Sequence, residues 1–269
     1  KTPFTASKGW LEGWQRRHGV KCALSTNSEE LPTLIDTSVE DFKKKFTEII
    51  NNEELKPDQV FNCSETSLNY RQLPKVKNSQ RYKNTFEFRV QQERVTLMAC
   101  TNASGSLKLP LVVVDKHPKP QNIRNIAHLP VSYKDDGNAW MTCDLFEDWF
   151  SSEFVPSVRE FLRSRQLPQK AVLFVDDSAV HSAHLERDGI RIEFLPANVH
   201  VELQPLDQGC MHNIKVIYRQ QLMNFVMDNY YKGELYEVLR DINIRHVVEW
   251  IAHAWDNVTT AMIVQSWEP

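Results

Sequence analysis

The sequence has no apolar run approaching the length of a membrane span, and no signal-peptide pattern begins it. It has no C-x-x-C pair; Cys22, Cys63, Cys100, Cys143 and Cys210 are scattered. An odd count without a framework argues against a secreted disulfide scaffold and fits reduced thiols of the cytosol or nucleus. Neither G-x-x-x-x-G-K-[ST] nor G-x-G-x-x-G occurs, which argues against nucleotide-driven chemistry. There is no strong basic excess: the formal net charge is −3. The overall field therefore does not advertise tight autonomous DNA binding, and a local basic face would have to supply any such contact. What is there is a 269-residue chain of ordinary globular composition. That length suits one large domain or two modest ones with a substantial core. The chain opens at Lys1 in what reads as mid-element, as a fragment would.

The stretch Ala171–Gly209 organises the rest. Five apolar residues, Ala171–Val175, read as a buried strand with Asp176 and Asp177 at its carboxyl end. That is where open α/β sheets place their ligand sites. A second strand follows at Ile190–Leu195, then Asp207 ahead of a helical pattern running to about Tyr231. Upstream, Trp10, Leu11 and Trp14 mark a helix capped by Ser7, with Arg16 and Arg17 at its end. Residues 20–36 read as a linker, and Val39–Asn51 as a helix capped by Thr37 or Ser38. Val60 begins a short strand running into Cys63-Ser64-Glu65-Thr66. Residues 70–94 hold the most basic segment, including Arg71, Lys75, Lys77, Arg81, Lys83 and Arg89 around Tyr82 and Phe86. Its bland reading is a solvated loop and its functional one a nucleic-acid face. Arg94–Thr101 and Leu107–Val114 read as a hairpin joined by Asn102–Ser106. A long loop over 115–139 leads to a helix over Trp140–Gln166 that Pro156 kinks. The chain closes with helical patterns at Ile242–Trp255 and Thr259–Trp267. Three antiparallel strands followed by α/β units predict a mixed α/β, ribonuclease H-like sheet flanked by helices.

Two-metal phosphoryl transfer needs carboxylates from several elements, because two Mg²⁺ ions roughly 3.5–4 Å apart both take oxygen ligands. Asp176 and Asp207 suit two such positions, and a third would fall at the end of the first strand. Several stretches here carry a resemblance. Phe61-Asn-Cys-Ser-Glu-Thr-Ser-Leu-Asn-Tyr70 resembles the N-A-D-E-T-G-L-F-Y/W stretch of pogo/Tigger-type DDE transposases and their jerky-like domesticated relatives. Arg94–Pro110 resembles their R-V-T hairpin ending in K-L-P, and Trp140-Met-Thr their W-M-T helix start. Leu173–His181 is similar to L-L-L-D-N-A-P-S-H, and Leu203-Gln-Pro-Leu-Asp-Gln-Gly209 to L-Q-P-L-D-Q-G. Residues 4–20 resemble the last helix of a centromere-protein-B-type helix-turn-helix. The resemblance implies three segments: the helix-turn-helix end at 1–20, a linker and helix at 21–55, and a DDE domain at 56–269.

Carried over by position, the resemblance makes Asp176 the second and Asp207 the third metal-binding catalytic carboxylate, and puts the first on Ser64. A serine hydroxyl is a neutral, weak Mg²⁺ ligand. Asp177 replaces the family's Asn and is a candidate for compensation, and Asn198–Leu203 departs from N-T-T-S-x-L. The leading expectation is a nuclear, DNA-associated, domesticated transposase whose site no longer cleaves. DNA contact would lie mainly in a preceding helix-turn-helix, with Arg16, Arg17 and the basic segment contributing and homodimer or protein partners open. No membrane or small-molecule substrate is expected. The alternative is a working Mg²⁺- or Mn²⁺-dependent endonuclease using Asp176, Asp207 and a substitute ligand. Other readings of the same residues are poorer. His181 and His184 form H-x-x-H without two further zinc ligands at suitable spacing. Ser64 lacks the G-x-S-x-G context of a nucleophile. Glu65 with Asp207 as a glycosidase pair has no sugar cleft to support it.

Overall fold

Strand β1 (Val60–Asn69) lies at the middle of a mixed sheet. A computed structural model describes residues 30–74, 92–181, 185–196 and 203–268. On one side β1 pairs antiparallel with β2 (Arg94–Asn102), which pairs antiparallel with β3 (Val112–Asp115). On the other it runs parallel to β5 (Ala171–Val175), itself parallel to β7 (Ile190–Phe194). With β4 (Ser132–Asp135) and the two-residue β6 (Glu186–Arg187) at the edges, the described strands order as β4-β3-β2-β1-β5-β7-β6. This is the ribonuclease H-like mixed sheet that the order of sequence elements predicts.

Helices flank both faces: α1 (Glu30–Asn52), α2 (Gln121–Arg124), α3 (Cys143–Trp149), α4 (Val155–Ser164), α5 (Cys210–Asn229), α6 (Leu235–Arg240), α7 (Ile244–Asp256) and α8 (Thr260–Ser266). Alternation along the strands divides the core into layers. Phe61 and Cys63 of β1, Met98 and Cys100 of β2, and Leu173 of β5 pack against Phe146, Trp149 and Phe154 from the α3–α4 segment. The ring of Phe61 meets Phe154 edge-on at 5.3 Å. Leu68, Val95, Leu97 and Ala99 face the other way, toward Ile214, Tyr218, Val248 and Ile251 of α5 and α7. Val172 and Phe174 meet α1, whose Phe46 ring lies 5.0 Å from that of Phe174.

Several sequence expectations are corrected. Residues 20–36 are not a linker throughout, because α1 already begins at Glu30; Pro32 sits in its first turn, where its missing N–H costs no helical hydrogen bond. The expected loop over 115–139 contains α2 and β4, and β4 pairs parallel with β3. Asp176 therefore follows the fifth strand in chain order, not the fourth. The helix predicted over Trp140–Gln166 starts at Cys143, capped by the Thr142 hydroxyl, and ends at Ser164. Its kink takes the form of a π turn over Phe150–Phe154. The Pro156 ring crowds the preceding turn and offers no N–H, and the wider π turn accommodates it. The helix expected from Asp207 starts at Cys210, after a 3₁₀ turn over Pro205–Asp207. The β2–β3 hairpin is as expected at its turn, where Gly105 takes φ +65° with Thr260 atoms against it. Its ladder lapses around Pro110 and resumes at Val112.

The carboxyl end of α7 is fastened to this hairpin. Lys108 Nζ donates to the Trp255 and Val258 carbonyls at 2.6 and 2.8 Å and lies 4.6 Å from the Trp255 ring centroid. The Trp255 indole N–H donates to Leu109 O at 2.8 Å. Replacing Lys108 with Met keeps the stem and removes both charged donors. Lys108→Met is expected to lower stability by about 1.5–3 kcal/mol. Urea unfolding midpoints at unchanged m-value measure this, and a loss under about 0.5 kcal/mol would show that Lys108 does not fasten the helix.

Candidate functional site

Asn62 sets the geometry at the carboxyl end of the central strands. Fully buried, it donates through Nδ2 to Phe174 O at 3.0 Å and Cys63 O at 3.2 Å, and accepts at Oδ1 from the Leu206 N–H at 3.1 Å. Gln204 Nε2 also donates to Cys63 O at 2.9 Å. These bonds hold the Pro205–Asp207 turn against β1. Gly209 follows at φ +114°, a conformation strained for a residue with a side chain, and lets the chain turn into α5.

The turn delivers Asp207 to Ser64. The Ser64 hydroxyl, on a residue 3% exposed, donates to Asp207 Oδ1 at 2.8 Å. Glu65, the next residue of β1, points to the opposite face as strand period requires. There His181 Nε2 lies 3.2 Å from Glu65 Oε1, while Nδ1 lies 2.9 Å from Asp176 O and 3.1 Å from Asp176 Oδ1. The His181 ring packs 4.4 Å from that of Phe146. Burial by itself would lower the His181 pKa, but its hydrogen bonds to Asp176 and Glu65 outweigh that and raise it to about 10. At neutral pH His181 is an imidazolium lying between two carboxylates.

Each of the two carboxylates predicted from sequence has a polar partner at this end of the sheet. Asp207 is with Ser64, and Asp176 is with His181 and Glu65. Among the described residues, no group of three or more His, Cys, Asp or Glu side chains is arranged to hold a metal ion. Asp177 is exposed. Arg71, predicted for a nucleic-acid face, is half-buried and fastened. Its guanidinium donates to Ile242 O at 2.6 and 3.1 Å and to Arg240 O at 3.2 Å, and pairs with Glu93 at 2.6 Å. Arg16, Arg17, Lys75, Lys77, Arg81, Lys83, Arg89, His184 and the helix-turn-helix segment lie outside the described residues.

Sequence reasoning missed two cations of α5, Lys215 beside Thr66 and Arg219 farther along the helix. Lys215 Nζ of α5 donates to Thr66 Oγ1 at 2.6 Å, and Arg219 follows one helical turn later. Burial lowers the pKa of both. The signal available was the i, i+4 spacing of Lys215 and Arg219 on a helix beginning just after Asp207.

The DDE superfamily endonuclease family matches residues 92–267. The chain belongs to that family. It is 33% identical over 270 residues to the Jerky protein of Mus musculus, covering 98% of this chain and 46% of that protein. It is 30% identical over 288 residues to Tigger transposable element-derived protein 7 of Homo sapiens, covering 100% of this chain and 52% of that one. The chain thus spans about half the length of these relatives. Among solved structures, the Mos1 mariner paired end complex with Mn aligns at TM-score 0.42 and 10% identity, covering 97% of this chain and 71% of that one. This DDE-family chain is transposase-derived, of the Tigger and Jerky kind. No helix among its described residues is long and apolar enough to cross a membrane.

Asn62 is the residue on which this DDE-family arrangement hangs, and its removal isolates that effect. Asn62→Ala leaves the buried Leu206 N–H and Phe174 carbonyl without their side-chain partner. It is expected to cost at least about 2 kcal/mol by chemical denaturation. Hydrogen exchange should show the Leu206 amide losing protection while the β1–β2 ladder keeps it. An unchanged Leu206 amide would mean that the turn is held by something else.

Proposed function

We propose that this domain is a domesticated DDE transposase domain that has lost metal-dependent strand cleavage and acts in the nucleus as a DNA-associated scaffold. The observation that carries this reading is Ser64. It occupies the place where the family resemblance puts the first carboxylate, and its hydroxyl is committed to Asp207 at 2.8 Å. A neutral oxygen supplies neither the charge nor the bridging capacity that two divalent ions close together require. Asp176 is itself engaged by His181 Nδ1 at 3.1 Å. The donor set therefore does not fit a two-metal centre.

DNA contact in this reading resides mainly in sequence-specific elements outside the described residues, with protein partners or a second copy engaging the domain. Similarity to Tigger transposable element-derived proteins supports DNA as the partner class.

A cleavage assay on terminal-repeat DNA with Mg²⁺ or Mn²⁺ tests the proposal. The protein as given is expected to leave the DNA intact and to show no tight Mn²⁺ binding by calorimetry. Ser64→Asp, which restores a carboxylate beside Asp207, is expected to raise Mn²⁺ affinity. Metal-dependent cleavage by the unmodified protein would sink the reading and favour a working endonuclease with a substitute ligand.

A further inference from the structure

We propose that Lys215, Arg219 and Thr66 form a metal-independent site for a phosphate group, on the α5 face of β1. The two cations stand one turn apart on α5, so their side chains leave the helix on one face. Thr66 lies two residues beyond Ser64 in β1 and therefore points to the same side of the sheet.

Each group has donors to spare. Lys215 Nζ spends one on Thr66 Oγ1, at 2.6 Å, and keeps two. Thr66 is the acceptor in that bond, so its own O–H remains able to donate. The Arg219 guanidinium lies 5.5 Å from the Tyr218 ring centroid, and its Nη1 is buried without a hydrogen-bond partner. Leaving a buried, charged donor unsatisfied is costly, and native structures rarely keep one without a use.

Charge on this face favours an anion. The carboxylate whose charge reaches Lys215 is Asp207, and one of its oxygens already accepts the Ser64 hydroxyl. Two cations against one carboxylate leave an excess of one positive charge. An ammonium, a guanidinium fork and a hydroxyl together match the oxygens of a phosphate. The ligand is thus a phosphate oxyanion, either free or in a nucleic-acid backbone. This deepens the reading of the domain as DNA-associated and rests on it only for the backbone as a source.

The test is titration calorimetry in EDTA at low salt, with inorganic phosphate and, separately, a short single-stranded oligonucleotide as probes. The unmodified protein is expected to bind at least one of them. Lys215→Met and Arg219→Met are each expected to weaken that binding about tenfold or more. Lys215→Met should also lower the salt slope for the oligonucleotide by about one. Arg219→Lys retains the charge and is expected to recover part of the affinity. Circular dichroism and melting curves establish that the variants are folded; if Arg219→Met is not, Lys215→Met and Thr66→Val still decide the matter.

Weakening confined to the oligonucleotide assigns the site to a nucleic-acid backbone, and weakening confined to phosphate assigns it to the free ion; both support the site. Folded variants that bind as the unmodified protein does would overturn it, as would no binding of either probe. Because divalent ions are absent throughout, the result stands apart from the cleavage assay. DNA cleavage in Mg²⁺ would sink the functional reading and leave this site intact, and failure here would leave that reading untouched.

Discussion

Asn62 lies at the centre of the sheet with no exposed surface, and its side-chain amide joins three pieces of chain that are distant in sequence. It bonds to its own strand, to β5 beside it, and to the turn that carries Asp207. A buried amide of this kind has no competing water, so its bonds are directional and costly to leave unmade. The separation between Ser64 and Asp207, and the start of α5 behind it, follow from that anchor.

Strand alternation then decides which polar groups meet. β1 sends Ser64 and Thr66 toward α5, and Glu65 toward α3 and His181. The same alternation sorts the core, with Phe61 and Cys63 on one face and Leu68 on the other. The carboxyl end of the central strands therefore carries two sets of polar contacts. One sets the His181 imidazolium between the carboxylates of Glu65 and Asp176. The other mixes hydroxyls, Asp207 and two cations of α5. A carboxylate at position 64 would have joined Asp207 on the α5 side. With serine there, the positive charge of Lys215 and Arg219 is answered by less.

Much of this was legible in the sequence, and the failures have physical reasons. The apolar run Ala171–Val175 announced a buried strand because both its faces are covered. The hairpin turn was legible in Asn102–Ser106, whose Gly105 takes a left-handed conformation. Opposite orientations for Ser64 and Glu65 also followed from strand period alone. β4 was not legible: Ser132–Asp135 is polar, lies at an edge and is specified by pairing with β3. The π turn before Pro156 escaped because periodicity marks a buried face without fixing the local hydrogen-bond pattern. α1 was read too short because Pro32 looks like an interruption, yet in a first turn it costs little.

The sequence by itself determined the core strands β1, β2, β3, β5 and β7, the family resemblance, and a hydroxyl in place of a carboxylate side chain at position 64, since each is written in residue type and spacing. Tertiary structure decided what the polar groups touch. No spacing rule places His181 between Glu65 and Asp176, because the two carboxylates come from separate strands and meet only across the sheet. Nor does spacing pair Lys215 with Thr66, or leave the Arg219 Nη1 buried without a partner. Those contacts depend on how α5 lies against β1, and that is fixed by the packing of the α5 face and the turn that Asn62 holds.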